Sequence, residues 1–580
     1  MKTATFLKYI RRTLAVVFGG LLLLFFLDFT HTLPVSFRWL TNIQLVPAIL
    51  NGLIGIVLLW LLASLLFGRI YCSVICPLGI LQDVILRVKK WFYRARKEKK
   101  KLRTKYERPH NIVRYTLLGV GAVGVVSGWT ALILWLDPYS NFGRIAVAAF
   151  KPVVIGINNA LSSLLTRFGN YSVYHYEILN LNAFLAIFGI ALLVLLVVLV
   201  WRKERIWCNT ICPVGTFLGL LSRFSLFQVS IDANRCNHCK NCTSNCKSRC
   251  IDDTQFKVDA SRCVACYNCL DKCKQDAIHY RPNGWCKVKY KTEPKPVASA
   301  KKTTDVKSQS QAGNETLNTF QLSRRRFVQG SALTLATLPF LSYAAAGKSK
   351  EPKYETRSRY PLPPGAAPDF HEKCTGCQLC VSQCPMQVLR PAFMEHGVLS
   401  MMQPLLYFHP HAYCNYGCTR CSSLCPNGAI LPLDREEKRL RQIGEVHFVE
   451  NECVVKKFDQ DCGACAEHCP TLAVHMVPYH NGLTIPAIDP AICVGCGACE
   501  SICPVRPKAI FVEGLPVQRS IDAALMDAPT GGGEVDLNSL YDNVFGDETS
   551  AAEDSEAAST ASTLTDTLPA TEAAPIDFGF

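Results

Sequence analysis

Thirty cysteines in 580 residues set the chemistry this chain can do. Two copies of the spacing C-x2-C-x2-C-x3-C lie between residues 236 and 273: Cys236, Cys239, Cys242 and Cys246, then Cys263, Cys266, Cys269 and Cys273. Ile231-Asp232 and Val258-Asp259 stand four to five positions ahead of each copy. Spacing this tight lets successive thiolates wrap one iron–sulfur cube, and in two-cluster ferredoxins the fourth cysteine serves the other cube. That rule predicts one [4Fe-4S] cluster on Cys236, Cys239, Cys242 and Cys273, and a second on Cys263, Cys266, Cys269 and Cys246. Zinc is the alternative, but its usual pattern is paired C-x2-C units separated by a longer gap.

Four more groups follow: Cys374/Cys377/Cys380/Cys384, Cys414/Cys418/Cys421/Cys425, Cys453/Cys462/Cys465/Cys469 and Cys493/Cys496/Cys499/Cys503. Each ends in Cys-Pro, at Pro385, Pro426, Pro470 and Pro504, and the third needs a loop to bring Cys453 in. The fourth cysteines could be exchanged sequentially or in a nested order. The first two copies carry Lys247 and Lys274 where the others carry Pro, and a nearby positive charge should raise a cluster's reduction potential. Cys250 and Cys286 lie outside the pattern, although Cys250 could replace Cys246 as a ligand.

A further pair of motifs has a different form. Arg69-Ile-Tyr-Cys72-Ser-Val-Ile-Cys76-Pro-Leu-Gly79 and Arg205-Ile-Trp-Cys208-Asn-Thr-Ile-Cys212-Pro-Val-Gly215 both read R-I-aromatic-C-x-x-I-C-P-x-G. This is an internal duplication, with each cysteine pair on one face if the segment is helical. Cys72, Cys76, Cys208 and Cys212 could hold a seventh cluster, act as redox thiols, or only pack.

The elements that must carry these groups are partly apolar. Mean hydropathy is +0.15. Apolar runs near 13–30, 45–67, 112–136 and 179–201 are each long enough to cross a hydrocarbon core of about 30 Å. Lys8, Arg11 and Arg12 precede the first run. Arg94, Arg96, Lys97, Lys99, Lys100 and Lys101 lie between the second and third, and Arg202, Lys203 and Arg205 follow the fourth. With four alternating spans all three basic sets face the cytoplasm. The basic segment could instead bind nucleic acid or anionic lipid, but membrane topology accounts for all three sets together, and no nucleic-acid partner is expected. Gly119, Gly121 and Gly124 match G-x-G-x-x-G without the strand such a nucleotide site needs, and Gly124 with Gly128 reads as a helix-packing face. Asp28, His31, Asp137, Tyr139, His175 and Glu177 collect at the opposite membrane edge; His31 and His175 are the histidines that could take protons from a quinol.

The expected fold is multidomain: an all-α four-helix membrane domain (1–230) and α+β bacterial-ferredoxin-like modules at 231–286 (two clusters) and 365–515 (four clusters). Residues 287–322 read as a linker. Ser323-Arg324-Arg325-Arg326-Phe327-Val328, followed by an apolar stretch to Ala346, reads as a twin-arginine export signal or a fifth helix over 323–347. Either moves residues 347–580 to the periplasm and leaves 1–322 with its ferredoxin module cytoplasmic. Residues 523–580 form an acidic tail of disordered composition.

These motifs carry a resemblance. Residues 1–280 resemble the NapH/MauN family of ferredoxin-type membrane proteins, and residues 323–510 the NapG/MauM family of exported polyferredoxins, so the chain resembles a fusion of the two. The resemblance implies quinol oxidation at the bacterial cytoplasmic membrane, with electrons passed to a periplasmic reductase or cytochrome. The residues themselves favour one-electron relay: there is no C-x-x-C-H haem motif and no room for a molybdopterin domain. Assembly of a periplasmic redox enzyme and electron input from a cytoplasmic ferredoxin are the other readings.

Overall fold

The computed structural model describes residues 3–97, 104–127, 135–178, 183–282 and 357–521. The linker, the twin-arginine segment, the acidic tail, Lys99–Lys101, Gly128 and Cys286 lie outside the described residues.

The N-terminal half is helical. Helix α1 (Thr3–Leu27) is followed by α2 (Leu45–Leu50), α3 (Ile54–Phe67), α4 (Pro77–Ala95), α5 (Asn111–Val126), α6 (Pro138–Arg167), α7 (Ala183–Lys203) and α8 (Pro213–Leu221). Three of these are long and apolar enough to cross a membrane: Thr5–Leu27, Pro138–Arg167 and Ala183–Lys203. Two differences from the four expected spans have local causes. The 45–67 run is split at Asn51-Gly52, where Gly52 adopts φ +68°, a conformation only glycine takes without strain. That leaves α3 with 14 residues, about 21 Å of helix. Helix α6 is absent from the hydropathy reading because Asn141, Arg144 and Lys151 interrupt it; all three are buried, and Arg144 and Lys151 bond backbone carbonyls of the distant C-terminal half. A π-turn at Ala146–Phe150 precedes Pro152, whose missing N–H cannot continue the regular ladder.

Outward faces of these helices are apolar, Ile54 being 70% and Leu62 56% exposed, while Leu22, Phe25 and Phe26 of α1 pack with Tyr139, Phe142 and Ile145 of α6 inside. Gly121 and Gly124 are buried in α5, with Gly121 against Pro213, so the glycine run is a helix contact.

The cysteine-rich segments are built from two-stranded antiparallel pairs and one-turn helices. Strand β1 (Phe227–Ile231) pairs with β4 (Ile278–Pro282) around the 236–273 loops, which hold the small pair β2 (Ile251–Asp252) and β3 (Lys257–Val258). In the C-terminal half β5 (Leu389–Pro391) pairs with β6 (Pro404–Leu406), β7 (Arg441–Phe448) with β10 (Ile510–Ser520), and β8 (Val474–Pro478) with β9 (Thr484–Ile488).

Helix α1 joins the two kinds of structure. At its start Lys8 Nζ lies 2.6 Å from Asp271 of the N-terminal cysteine module. At its end the Phe25 carbonyl accepts from Gln383 Nε2 of the C-terminal one, at 2.7 Å. The 17-residue rise from Lys8 to Phe25, about 25 Å of helix, keeps the two modules at opposite ends of the bundle. One buried core runs the whole way, from Val264 through Cys72, Tyr71 and Tyr139 to Cys377 and Met402.

Candidate metal centres

The two R-I-aromatic-C repeats come together in the bundle. Cys72 sits in a one-turn helix (Tyr71–Val74) and Cys208 in a π-turn (Trp207–Ile211), while Cys76 and Cys212 adopt extended backbone and cap α4 and α8. The prolines that follow occupy the first helical turn, where their missing N–H costs nothing. So each pair straddles a helix junction and does not line one helix face. All four thiols are buried, and Cys72, Cys208 and Cys212 lie within electrostatic range of Cys76.

The repeats also explain their other shared residues. A Cβ on Gly79 would stand 2.4 Å from the Cys72 carbonyl oxygen, and one on Gly215 2.2 Å from that of Cys208, so both positions need glycine. The arginines are exchanged: Arg69 Nη2 donates to the Cys208 carbonyl at 2.7 Å, and Arg205 Nη1 to the Cys72 carbonyl at 2.9 Å. Donors face the sulfurs, with Gln82 Nε2 3.1 Å from Cys208 Sγ and the Gly215 N–H 3.3 Å from Cys212 Sγ. Two guanidiniums and these donors suit an anionic thiolate site.

In the N-terminal module Cys246 interacts with Cys263, Cys266 and Cys269 as the crossed pairing predicts. Cys250 is there too: its Sγ is 3.6 Å from that of Cys246, and it also bonds Cys263. The hydrogen bond from Cys250 holds the Cys246 thiol below its ordinary pKa.

The C-terminal half settles into sequential exchange. Cys374, Cys377 and Cys380 gather with Cys425, and Cys414, Cys418 and Cys421 with Cys384. Cys453, Cys462 and Cys465 meet Cys503, while Cys493, Cys496 and Cys499 meet Cys469.

Backbone conformation marks the four regular motifs. The residues on either side of the middle cysteine are left-handed: His238 and Lys240, Ala265 and Tyr267, Gly376 and Gln378, Gly495 and Gly497. That turns N–H groups inward as an anion-binding nest. N–H groups also reach fourth cysteines, Ala277 N to Cys273 Sγ at 3.3 Å and Ile430 N to Cys425 Sγ at 3.4 Å. Burial pushes the thiols up, Cys496 to about 12 and Cys493 to about 11, so a metal centre must take the charge before they ionise. Each set gathers thiols beside inward N–H groups, which is the donor chemistry an iron–sulfur cube takes.

Lys247 changes meaning in three dimensions. Its Nζ lies 2.7 Å from Asp83 of α4, which also takes Arg205 at 2.8 Å and Arg11 at 3.5 Å. The charge is paired and the lysine docks the module on the bundle, while it stays within electrostatic range of the cluster cysteine Cys266. Asp83 did not stand out in the sequence; the repeat alignment, with Asp83 opposite Gly219, was the available signal.

Of the expected edge residues, the structure brings Asp28, His31, Asp137 and Tyr139 to the junction between α1, α6 and the C-terminal module. His175 and Glu177 are exposed. Asp28 accepts the Thr32 and Leu33 N–H groups, and Asp137 caps α6 through the Ser140 N–H at 2.8 Å, so both carboxylates organise backbone. The Tyr139 phenol lies against Cys377, and Tyr71 lies within electrostatic range of both Asp137 and Cys76. Burial, then Arg420 and Lys151, push His31 down to about 4, so its ring is neutral at neutral pH. Arg144, Lys151, Gln383 and Arg420 complete this junction and were not foreseen.

Comparison with known proteins places these features. The 4Fe-4S binding domain family matches residues 50–100 and 185–231, the two segments that hold the duplicated repeats. A 4Fe-4S dicluster domain matches residues 460–506, and a second 4Fe-4S binding domain family residues 369–390. The chain is 31% identical over 193 residues to the methylamine utilization ferredoxin-type protein MauM of Paracoccus denitrificans (strain Pd 1222), covering 31% of this chain and 82% of that one. With MauN of the same organism it shares 28% over 203 residues, 34% of this chain and 56% of that protein. With the ferredoxin-type protein NapG of Escherichia coli (strain K12) it shares 29% over 213 residues, 34% and 89% respectively. No solved structure matches it. With iron–sulfur families on both halves and relatives on different parts of its length, the chain belongs to the MauM family of ferredoxin-type proteins, joined in one polypeptide to a MauN-like part.

Proposed function

We propose that this membrane-embedded protein oxidises quinol and relays the electrons, one at a time, to a periplasmic acceptor. The carrying observation is α1, which is bonded at one end to Asp271 of one cysteine module and at the other to Gln383 of the second, with the four-thiol site in the core between. The basic residues at the α1 start and after α7 favour the cytoplasm for the 227–282 module, leaving 357–521 in the periplasm.

When bound, [4Fe-4S] clusters supply one-electron carriers whose negative charge the surrounding N–H groups and cations stabilise. Six sets in the two modules and a seventh at Cys72/Cys76/Cys208/Cys212 are the sites we assign. Arg205 lies within electrostatic range of both Cys208 and Cys266, so one module stands against the four-thiol site; Tyr71, near Cys76 and Asp137, and Tyr139, against Cys377, lead from the site to the other. Beyond the junction, the Cys374 set adjoins the bundle and exchanges a cysteine with the Cys414 set. The Cys414 N–H bonds the Cys496 carbonyl at 3.0 Å, and the Cys453 set comes last. Spatial order therefore runs first, second, fourth, third. Half-buried His31 and buried Tyr139, both at the junction, are the groups we assign to meeting quinol hydroxyls.

The test is anaerobic protein in detergent given a menaquinol analogue, with clusters followed by absorbance and EPR. Fast, inhibitor-sensitive and sustained reduction is expected. Reduction by low-potential ferredoxin alone would instead support a second reading, entry at the cytoplasmic module, which the exposure of Cys239 favours. A single stoichiometric reduction without turnover would point to maturation of a client.

A further inference from the structure

We infer that the cytoplasmic end of the bundle holds a binding site for the phosphate headgroup of an anionic phospholipid. A cavity of about 400 Å³ opens between the first turns of α1, the basic face of α4 and the Asn268–Lys272 turn of the cysteine module. Arg12, Arg87, Lys90 and Arg94 line it, and none has an ion pair to a carboxylate among the described residues. The one carboxylate present, Asp271, is already taken by Lys8 at 2.6 Å and Lys272 at 3.5 Å.

Three features show that the cavity holds more positive than negative charge. Arg12 Nε is buried with no hydrogen-bond partner among the described residues. Arg87 and Arg11 stand close enough to repel the Arg12 charge. The lining otherwise offers only the amides of Asn245 and Asn268, which cannot neutralise four cations. Like charges gathered this closely stabilise one another only through a shared counter-ion.

Position selects the source of that anion. Lys8 and Arg12 stand where the apolar window of α1 begins, at headgroup depth, and Trp91, 70% exposed on the cavity rim, suits the bilayer interface. Basic pockets at the cytoplasmic face of helical membrane proteins take acidic headgroups, each Lys or Arg near the surface contributing about 1 kcal/mol. The site would tie α1, α4 and the module together beside the Asp83 network. It does not depend on which donor reduces the clusters.

Full-length protein in detergent, examined by native mass spectrometry, should retain phosphatidylglycerol in preference to phosphatidylcholine, with inorganic phosphate binding far more weakly than the lipid. Arg12→Gln with Arg87→Gln should weaken phosphatidylglycerol about thirtyfold at unchanged iron content. Lys90→Gln with Arg94→Gln serves as a second, more exposed pair. Lys456→Gln with Lys457→Gln, in the far module, should change nothing. Equal retention of phosphatidylcholine by the wild type would overturn the proposal without any variant. So would wild-type affinity in both lining pairs. Phosphate binding as tight as the lipid's would overturn the lipid assignment.

Discussion

Asp83→Asn tests the docking of the N-terminal cysteine module most directly. Asp83 is 10% exposed and meets Arg205, Lys247 and Arg11, whose side chains are 0%, 9% and 3% exposed. Burial alone would raise its pKa; Arg205 and then Lys247 override that and hold the carboxyl well below the usual range. Removing one partner from a buried ion pair costs about 3–5 kcal/mol, because a charge is left without compensation. Asparagine can still accept one hydrogen bond, and Arg205 keeps the carbonyls of Cys72 and Gly79, so the lower end, about 3 kcal/mol, is expected. Most of it should fall on Lys247, which has no other hydrogen bond among the described residues.

The loss should be local. Hydrogen exchange of the β1–β4 pair and of the 236–273 loops should quicken by about a hundredfold, while α6 and α7 are unaffected. In a double-mutant cycle Lys247→Met should cost much less on the Asp83→Asn background than on the wild type, with a coupling of about 2 kcal/mol. The pH dependence has a definite sign. A carboxyl whose folded pKa is depressed stabilises above its unfolded value, near 3.9, and the contribution drains away as pH falls below about 4. Docking should therefore be insensitive to pH between 5 and 8 where this group is concerned. Exchange rates within twofold of wild type in Asp83→Asn, or strict additivity with Lys247→Met, would refute the reasoning.

Three other outcomes are expected. Cys425→Ser should remove the EPR signal of the Cys374/Cys377/Cys380 set and spare that of Cys414/Cys418/Cys421, and Cys384→Ser should do the reverse; nested exchange would link Cys374 to Cys503 instead. Gly143→Leu should separate the bundle from the C-terminal module, since even a Cβ there would lie 2.1 Å from the Cys377 carbonyl oxygen and 2.9 Å from Phe26. Stopped-flow absorbance should then show electrons reaching the N-terminal sets but not the C-terminal ones, at full iron content; normal transfer would mean that the contact at Gly143 is dispensable. Cys76→Ser or Cys212→Ser should lower quinol-driven flux while all six module clusters assemble, and normal flux in both would make the duplicated repeat structural.

Local chemistry was legible in the sequence and tertiary compensation was not. Cysteine spacing alone drew the sets, because ligand geometry around one cube is a short-range constraint. The R-I-aromatic-C duplication was visible residue by residue, down to Gly79 and Gly215. Apolar runs located α1 and α7. Helix α6 stayed hidden because the groups that break its apolar run, Arg144 and Lys151, are satisfied only by carbonyls at Thr375, Gly376 and Ser382, more than 230 residues away. The order of cysteine exchange was hidden too, since four similar motifs are compatible with several pairings until strands such as β7 and β10 fix which lie side by side. Asn51-Gly52 is the exception: the turn signal was in the sequence, and a hydropathy window averaged over it.

The duplication also shows how a near-symmetric bundle comes to hold one module and not two. Arg69 and Arg205 cross between the repeats in the same way, so the four thiols alone would look alike from either half. Seven residues past Cys76 stands Asp83, and seven past Cys212 stands Gly219. The aspartate gathers Arg205, Lys247 and Arg11 into a charged contact that can hold the module. The glycine leaves a space that a Cβ would fill, 2.5 Å from the Ser261 carbonyl, and Arg69 Nη1, which also donates to Asn209 Oδ1, reaches that same carbonyl at 3.0 Å. One repeat thus supplies the charge and the other the clearance. Exchanging the two residues would put a carboxylate against a backbone oxygen and leave Lys247 facing nothing. For that reason this one difference between matching positions, more than any shared residue of the repeats, fixes where the cysteines of the 227–282 module sit relative to Cys208.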